Sequence, residues 1–425
     1  MDADEQRNAW KCTIGEGLFG VGTGCVGALT VLPLLLASLG ASDFAVGLGG
    51  SIAMAGWGLL QPVSVFLLGG RRRTQRFLIP WSFSFAVPTY LAMAAAVYLL
   101  ARGQPRLCSM LLLVLFGVRV LGAGATIPFW FDWQAMVFRQ AIRGRVIGMM
   151  AGASALGFSG GAFAAGLMQG ALGFPLNYAC LFLIAAGFFV VALLTFWSVR
   201  EPDSLAAPYY PLRPRELVSR FGRSLGERNF RNYLIGRALL ALGGGSAVFY
   251  SVHFHSSEGG GLAADMVFKL GTVVALSQSV ASYLLGRLGD RVGHKAGIVI
   301  GALAQFASIA VAFLGTGPAA CAVSFALLGV SGSAAWVSHQ NMLFETCPHE
   351  SRVAHITLST IVLQPFFFLV PMATGWMMDN LPTRATGIGL TLIPTLMGIA
   401  WLAWMVQDPR TTMLSRTDLT QARAA

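Results

Sequence analysis

Long apolar runs alternate with short polar connections along the whole chain, and the apolar runs are close to constant in length. They cover 14–38, 44–68, 77–100, 108–131, 146–170, 176–198, 232–253, 266–286, 296–315, 319–344, 354–378 and 385–407. Each is near the ~20 residues that an α-helix needs to cross a bilayer core. Barrel strands would instead show stretches of roughly ten alternating residues. The pattern therefore predicts an all-α membrane protein of twelve transmembrane helices.

The polar connections organise these helices. The longest, 199–231, divides them six and six, which predicts a first half over 1–198, a linker over 199–231 and a second half over 232–425. Pro202, Pro208, Pro211 and Pro214 break regular structure early in the linker. Leu217, Phe221 and Leu225 then recur at helical spacing beside Arg215, Arg220 and Arg223, so a short interfacial helix and a plain solvated linker both fit. An internal repeat supports duplication. Trp130-x-x-x-Gln134-x-Met136-x-Phe138 returns as Trp336-x-x-x-Gln340-x-Met342-x-Phe344, 206 residues later, and each copy leads to an Arg-Val pair, Arg145-Val146 and Arg352-Val353. A fainter echo pairs Arg7-Asn8 with Arg231-Asn232.

Composition fits this picture: 55% of the 425 residues are hydrophobic, 11% are charged, and the mean hydropathy is +0.67. The net charge of +11 could suggest nucleic acid, but its distribution points to membrane orientation. Of 29 basic residues, only Arg102, Arg106, Lys269 and Arg384 lie on the side opposite the termini, with Arg119 and Arg237 deep inside spans. Both termini are thus expected in the cytoplasm, and Arg71-Arg72-Arg73 reads as an ordinary cytoplasmic loop rather than a nucleic-acid site. The polar start followed by an overlong apolar run predicts no signal cleavage. Cys12, Cys25, Cys108, Cys180, Cys321 and Cys347 are scattered without a C-x-x-C pair and read as apolar fillers. His253-Phe-His255 with Glu258 is a weak metal candidate, outweighed by two solvated histidines. Neither a phosphate loop nor an H-E-x-x-H pair occurs, and Gly157-Phe-Ser-Gly160-Gly161, which spells G-x-S-x-G, lies inside an apolar run and not at a strand-to-helix elbow, so no enzyme activity, cofactor or metal is expected.

One polar knot carries a family resemblance. Gly286-Arg-Leu-Gly-Asp290-Arg291-Val-Gly293-His-Lys295 lies between two apolar runs, with two glycines suited to a tight turn. It resembles the loop G-x-L-x-D-R-x-G-x-K of the major facilitator superfamily. The resemblance implies two pseudo-symmetric six-helix halves around a midplane site that opens alternately to each side. It also implies a gating loop in which Asp290 caps the fifth span near Gly148 while Arg291 pairs with Glu345. The first-half copy, Leu67 to Arg76, lacks the acidic residue, which would leave Asp132 facing Arg71 to Arg73.

Ionisable groups within spans cost ~2.5–3.5 kcal/mol on insertion scales, so each needs a reason. Arg119 in Gly117-Val-Arg119-Val-Leu-Gly122-Ala-Gly124 resembles the superfamily's R-x-x-x-G-x-G motif with the glycines one place early. That resemblance implies proton transfer or binding of a substrate anion; a structural ion pair or carbonyl clamp is the alternative. Glu16, between Gly15 and Gly17, has the chemistry of a proton-coupling carboxylate, or of a partner for Arg237 at matching depth. The resemblance puts Glu16, Arg119, Asp132, Arg237, His339, Gln340 and Asn341 on cavity-lining helices, with Gln61, Gln278 and Gln364 on flanking ones. Trp130, Trp133 and Trp336 could orient a solute, although their positions at span ends favour interface anchoring. Gly20, Gly24, Gly148, Gly152, Gly166 and Gly170 form small-x-x-x-small faces for close helix packing. Gly157-Phe-Ser-Gly160-Gly161 lacks the Gly-Pro pair of the superfamily's antiporters, which weakens drug/proton exchange. The expected function is secondary transport of a small solute across a plasma (inner) membrane, with protons as candidate coupling ions, lipids as neighbours and a monomeric state. The competing class is a transporter-like sensor, scaffold or assembly factor.

Overall fold

A computed structural model describes residues 3–61, 63–64, 75–201, 222, 224–346 and 352–408. The loop at 65–74, most of the central linker and the tail beyond 408 lie outside the described residues, as do the side chains of Asp132, Asp290 and Glu345.

The twelve predicted spans are present as helices. The first runs over Ala3–Cys25 and resumes as Val31–Ser38 after a turn; the second is Asp43–Leu59. The third to sixth are Gln75–Leu100, Pro105–Val137, Gln140–Ala171 and Leu176–Trp197. The seventh is Arg228–Gly244, passing through a 3₁₀ turn at Gly245–Phe249 into Tyr250–His255. The eighth and ninth are Ala264–Val292 and His294–Leu314, and the tenth is Gly317–Trp336 with Ser338–Thr346. Arg352–Asn380 is the eleventh, and Arg384–Leu390 with Leu392–Met405 the twelfth. Ten of these segments are long and apolar enough to cross a membrane by themselves. The other two are the interrupted first span and the second, whose helix has 17 residues.

Two expectations change here. Gly286 does not turn the chain: the eighth helix runs through it to Val292, and a Cβ at Gly286 would meet only Val337 at 3.9 Å. The turn falls at Gly293 alone, whose φ of +93° favours glycine and whose missing Cβ leaves room for the Asp408 carboxylate. The glycine faces also divide. Gly20 and Gly24 sit on the carbonyls of Ser154 and Phe158, and Gly166 on that of Asp265, whereas Gly148 and Gly152 face open space.

The cores show how the halves meet. Call the side holding Ala3 and Met405 the terminal side and the other the far side. On the far side one continuous core joins Leu35, Val46 and Phe182 of the first half to Val248, Phe254 and Phe325 of the second. Toward the terminal side the core splits. Phe129, Trp133 and Val146 cluster within the first half, and Phe230, Met342 and Leu402 within the second. Among the described residues, buried apolar packing thus crosses between the halves on the far side and stays within each half on the terminal side.

The first and seventh spans share more of a repeat than the Arg-Asn echo suggests. In the structure Asn8 exchanges two bonds with the Arg200 backbone, at 2.8 and 3.1 Å, and Lys11 donates to the Ser198 carbonyl. Asn229 exchanges the same two bonds with Gln407, at 3.0 and 2.8 Å, and Asn232 donates to Met405. Asn8 therefore corresponds to Asn229, not Asn232, an offset of 221. With that register Ile14-Gly15-Glu16-Gly17-Leu18 matches Ile235-Gly236-Arg237-Ala238-Leu239, and Gly22 and Gly24 match Gly243 and Gly245. The packing agrees: Gly15 and Gly22 rest on Phe196 and Phe189, Gly236 and Gly243 on Leu402 and Thr395.

Candidate functional site

The same register explains where the helices break. Just past Gly24 the first span unwinds at 26–30, and at Gly245 the seventh tightens into its 3₁₀ turn. Thr30, at the first break, packs on Gly271 of the eighth span; Val248, at the second, packs on Gly50 of the second span. Gly50 and Gly271 are themselves 221 apart, so each half's broken helix seats on the equivalent glycine of its partner half. Irregular backbone in a membrane persists only where protein buries it, and here residues 245–249 are all buried.

Beside the first break, toward the terminal side, lies a cavity of ≈200 Å³ within the first half. Its walls come from spans one, two, three, four and six and include six aromatic residues, Phe19, Trp57, Phe85, Trp130, Phe189 and Phe196. Two ionisable residues line it, Glu16 and Arg119. Arg119 is 3% exposed. Its guanidinium lies over the rings of Phe189, Tyr90 and Trp57, at 4.9, 5.3 and 5.8 Å from their centroids. Such faces attract a cation, but they accept no N–H bond in the way an oxygen does. Nε of Arg119 has no hydrogen-bond partner among the described residues. Glu16 sits against Ser154 of the fifth span.

The tryptophans depart from interface anchoring in the first half. Trp130 lines the cavity and stacks on Trp133 at 5.0 Å; Trp133 is fully buried and its Nε1 donates to Glu201 at 2.9 Å. Trp336, the repeat partner of Trp130, is 68% exposed, and the tenth helix breaks at Val337, where the fourth runs straight on. The other candidates separate. Arg237 and His339 lie together in the second half, near Tyr233, whose hydroxyl donates to the His339 carbonyl at 3.0 Å. Gln340 is exposed, and Asn341 donates one turn back to the Val337 carbonyl at the helix break, at 2.9 Å. Gln364 lies against Gly58 across the two halves. Either side of the Gly293 turn, Arg291 at the end of the eighth helix is exposed and Lys295 in the first turn of the ninth donates to the Ala403 carbonyl of the twelfth span at 2.8 Å. The proposed contacts of Asp290, Glu345 and Asp132 fall outside the described side chains. Glu258 accepts from the Arg384 and Ala385 amides at 3.0 and 3.4 Å, and no metal-binding group occurs among the described residues.

A far-side latch was not anticipated. Arg384 Nε, in the second half, meets both oxygens of Asp43, in the first, at 3.0 and 2.8 Å. Asp379 returns the link, accepting from the Asp43 and Phe44 amides at 2.8 and 2.9 Å and so capping the second span from the opposite half. Below it, Gly47 and Gly375 let the second and eleventh helices touch backbone to backbone, at the Pro371 and Asp43 carbonyls. Asp43 and Arg384 are 341 residues apart and carry no motif.

This arrangement, two six-helix halves joined by a shared far-side core, is similar in fold to solved transporters. Residues 253–419 match the family model described as Major Facilitator Superfamily. Its second half thus carries sequence of that superfamily, and the chain as a whole is a multi-pass, membrane-embedded protein with the same fold. Among solved structures, a point mutant of the nucleoside transporter NupG is 12% identical, with a TM-score of 0.77 over 94% of this chain and 100% of that one. A bacterial homologue of the human lysosomal transporter Spinster, in an inward-facing and unoccupied conformation, is 14% identical with a TM-score of 0.68. That match covers 95% of this chain and 97% of the other. An autoinhibited peptide transporter of the POT family is 13% identical with a TM-score of 0.65, covering 95% and 98%. No curated protein matches the chain by sequence.

Proposed function

We propose that this chain is a secondary transporter that moves a small, largely apolar organic anion by alternating access, with Arg119 holding the anionic group. The observation that carries this reading is a buried guanidinium in an aromatic cavity whose Nε meets no acceptor. A cation at this depth costs several kcal/mol unless something neutralises it, and a carboxylate-bearing solute would do so while its apolar body fills the aromatic walls. Glu16, in the same cavity, takes up a proton as the solute moves. The separated terminal-side cores and the Asp43–Arg384 latch support a state open toward the termini, with rocking about the breaks at 26–30 and 245–249. In this reading the halves are 1–198 and 232–425, joined by the linker 199–231. The Gly286–Lys295 loop closes the terminal side, both termini are cytoplasmic, and the protein works as a monomer in a plasma (inner) membrane.

The test is thermal unfolding of the detergent-purified protein against aromatic carboxylates, sugars, amino acids and lipophilic cations. A ligand that binds only the folded state stabilises it by ~2.7 kcal/mol at a hundredfold excess over Kd. Stabilisation by aromatic carboxylates, lost in Arg119→Gln, is expected. Stabilisation by cations or sugars alone, or a carboxylate effect that Arg119→Gln leaves intact, would overturn the assignment.

A further inference from the structure

The second half carries its own unneutralised cation, and the corrected repeat register says where it belongs. Arg237 occupies the slot that Glu16 fills in the first half, since Gly236 and Gly243 pack on the twelfth span as Gly15 and Gly22 pack on the sixth. His339, by the 206-residue repeat, occupies the slot of Trp133. Slots that hold an acid and an indole in one half hold a guanidinium and an imidazole in the other.

No described carboxylate answers this change of sign. Arg237 Nε is enclosed and without a hydrogen-bond partner, and so is His339 Nδ1, on a side chain 5% exposed. Arg237 is the charged group that acts on His339. Tyr233, one turn before Arg237, packs its ring 5.8 Å from the imidazole and fixes the backbone there by donating to the His339 carbonyl. The local backbone adds to the charge. The tenth helix ends at Trp336 and restarts at Ser338, so His339 stands in the first turn of the 9-residue helix Ser338–Thr346, whose dipole favours an anion. An enclosed guanidinium nitrogen and an enclosed imidazole nitrogen thus lie near a helix start without a described partner, whereas buried polar atoms in folded proteins are normally paired.

We infer that Arg237 and His339 form an oxyanion-binding site in the second half, separate from the first-half cavity and answering to a phosphate-like or carboxylate group with at least two acceptor oxygens. The anion would accept from Arg237 Nε and, in the tautomer that protonates Nδ1, from His339. Two sources offer that chemistry: a free anion entering from the terminal side and the headgroup of an anionic lipid. The site does not rest on the transport reading, because anion binding is an equilibrium property that a non-transporting membrane protein would also show.

The experiment uses the full chain in two arms. In detergent, inorganic phosphate is titrated against sodium chloride at matched ionic strength while thermal unfolding is followed. In nanodiscs, phosphatidylglycerol replaces phosphatidylcholine stepwise. Saturable stabilisation in at least one arm is expected for the parent and for Arg119→Gln, with at least tenfold more phosphate or lipid needed in Arg237→Gln and an intermediate response in Arg237→Lys. Dependence on Arg237 in the phosphate arm assigns a free anion, and dependence in the lipid arm alone assigns a headgroup. If Arg237→Gln does not fold, His339→Gln is read in its place, with the same direction expected. Identical curves for the parent and the folded variant in both arms, or no effect beyond that of chloride and phosphatidylcholine, would overturn the site.

Discussion

Position for position, the first span and the seventh keep the same asparagine, the same three glycines against the neighbouring helices and the same break after them, yet one carries Glu16 and the other Arg237. The features that agree are those on which helix packing depends. A Cβ at Gly24 would lie 2.1 Å from the Phe158 carbonyl oxygen, and one at Gly245 2.6 Å from Val370, so neither site admits a larger residue without movement. The features that differ are the ionisable side chains, Glu16 in one half and Arg237 in the other. Duplication has supplied a frame, and the chemistry has been placed on it separately in each half.

The largest effect should separate the two buried arginines, Arg119 and Arg237. A charged hydrogen bond is worth ~1.5–3 kcal/mol, so Arg119→Gln should weaken carboxylate binding by roughly 10- to 100-fold. Arg237→Gln, in the other half, should leave that affinity within about threefold, as read by the same titration. Equal losses from both would merge the two sites and break the comparison. Next in size are the shared glycines. Overpacking costs ~1–3 kcal/mol, and Gly24→Ala, which meets backbone, should approach the upper end. Gly245→Ala, which meets side chains, should lie lower, and Gly148→Ala, which meets nothing, should be neutral in denaturation.

The latch should respond at a similar or smaller scale. Asp43 is 7% exposed at its side chain and Arg384 33%, so Asp43→Asn should remove ~1–3 kcal/mol of far-side closure. Spin labels at Ala41→Cys and Leu381→Cys would report this as a longer distance. An unchanged distance distribution would mean that the apolar core, not the ion pair, keeps the far side shut. The smallest difference belongs to the asparagine clasps. Each makes two backbone bonds worth ~0.5–1.5 kcal/mol apiece, so Asn8→Ala and Asn229→Ala should each cost ~1–3 kcal/mol and agree closely. A marked inequality would show that the two staples carry different loads.

Much of the fold was legible because a bilayer sets helix length. The twelve apolar runs match the observed helices to within a few residues at most ends, apart from the first, whose helix begins well before its apolar run in a polar stretch that hydropathy cannot see. The breaks were not legible: Val26 to Thr30 and Gly245 to Phe249 are as apolar as their neighbours, and only packing on Gly271 and Gly50 distinguishes them. Glu16 and Arg119 stood out singly as charges in apolar surroundings, but their shared cavity depends on Phe85, Phe189 and Phe196 from other helices. The Glu16/Arg237 correspondence was present as Ile-Gly-x-x-Leu in both spans, hidden because the Arg-Asn echo suggested a register three residues away. Asp43 and Arg384 lie at span ends, where a charge needs no explanation from sequence alone.

The central claim is that a solute held at Arg119 drives the halves from one closed end to the other. Its most direct test is a pair of spin-label distances in the reconstituted protein, Ala41 to Leu381 on the far side and Arg145 to Arg291 on the terminal side, with and without the ligand found by thermal unfolding. Binding should lengthen the first and shorten the second, and Arg119→Gln should abolish both changes. A ligand that binds at Arg119 while both distances stay fixed would contradict the account and leave a receptor in place of a transporter.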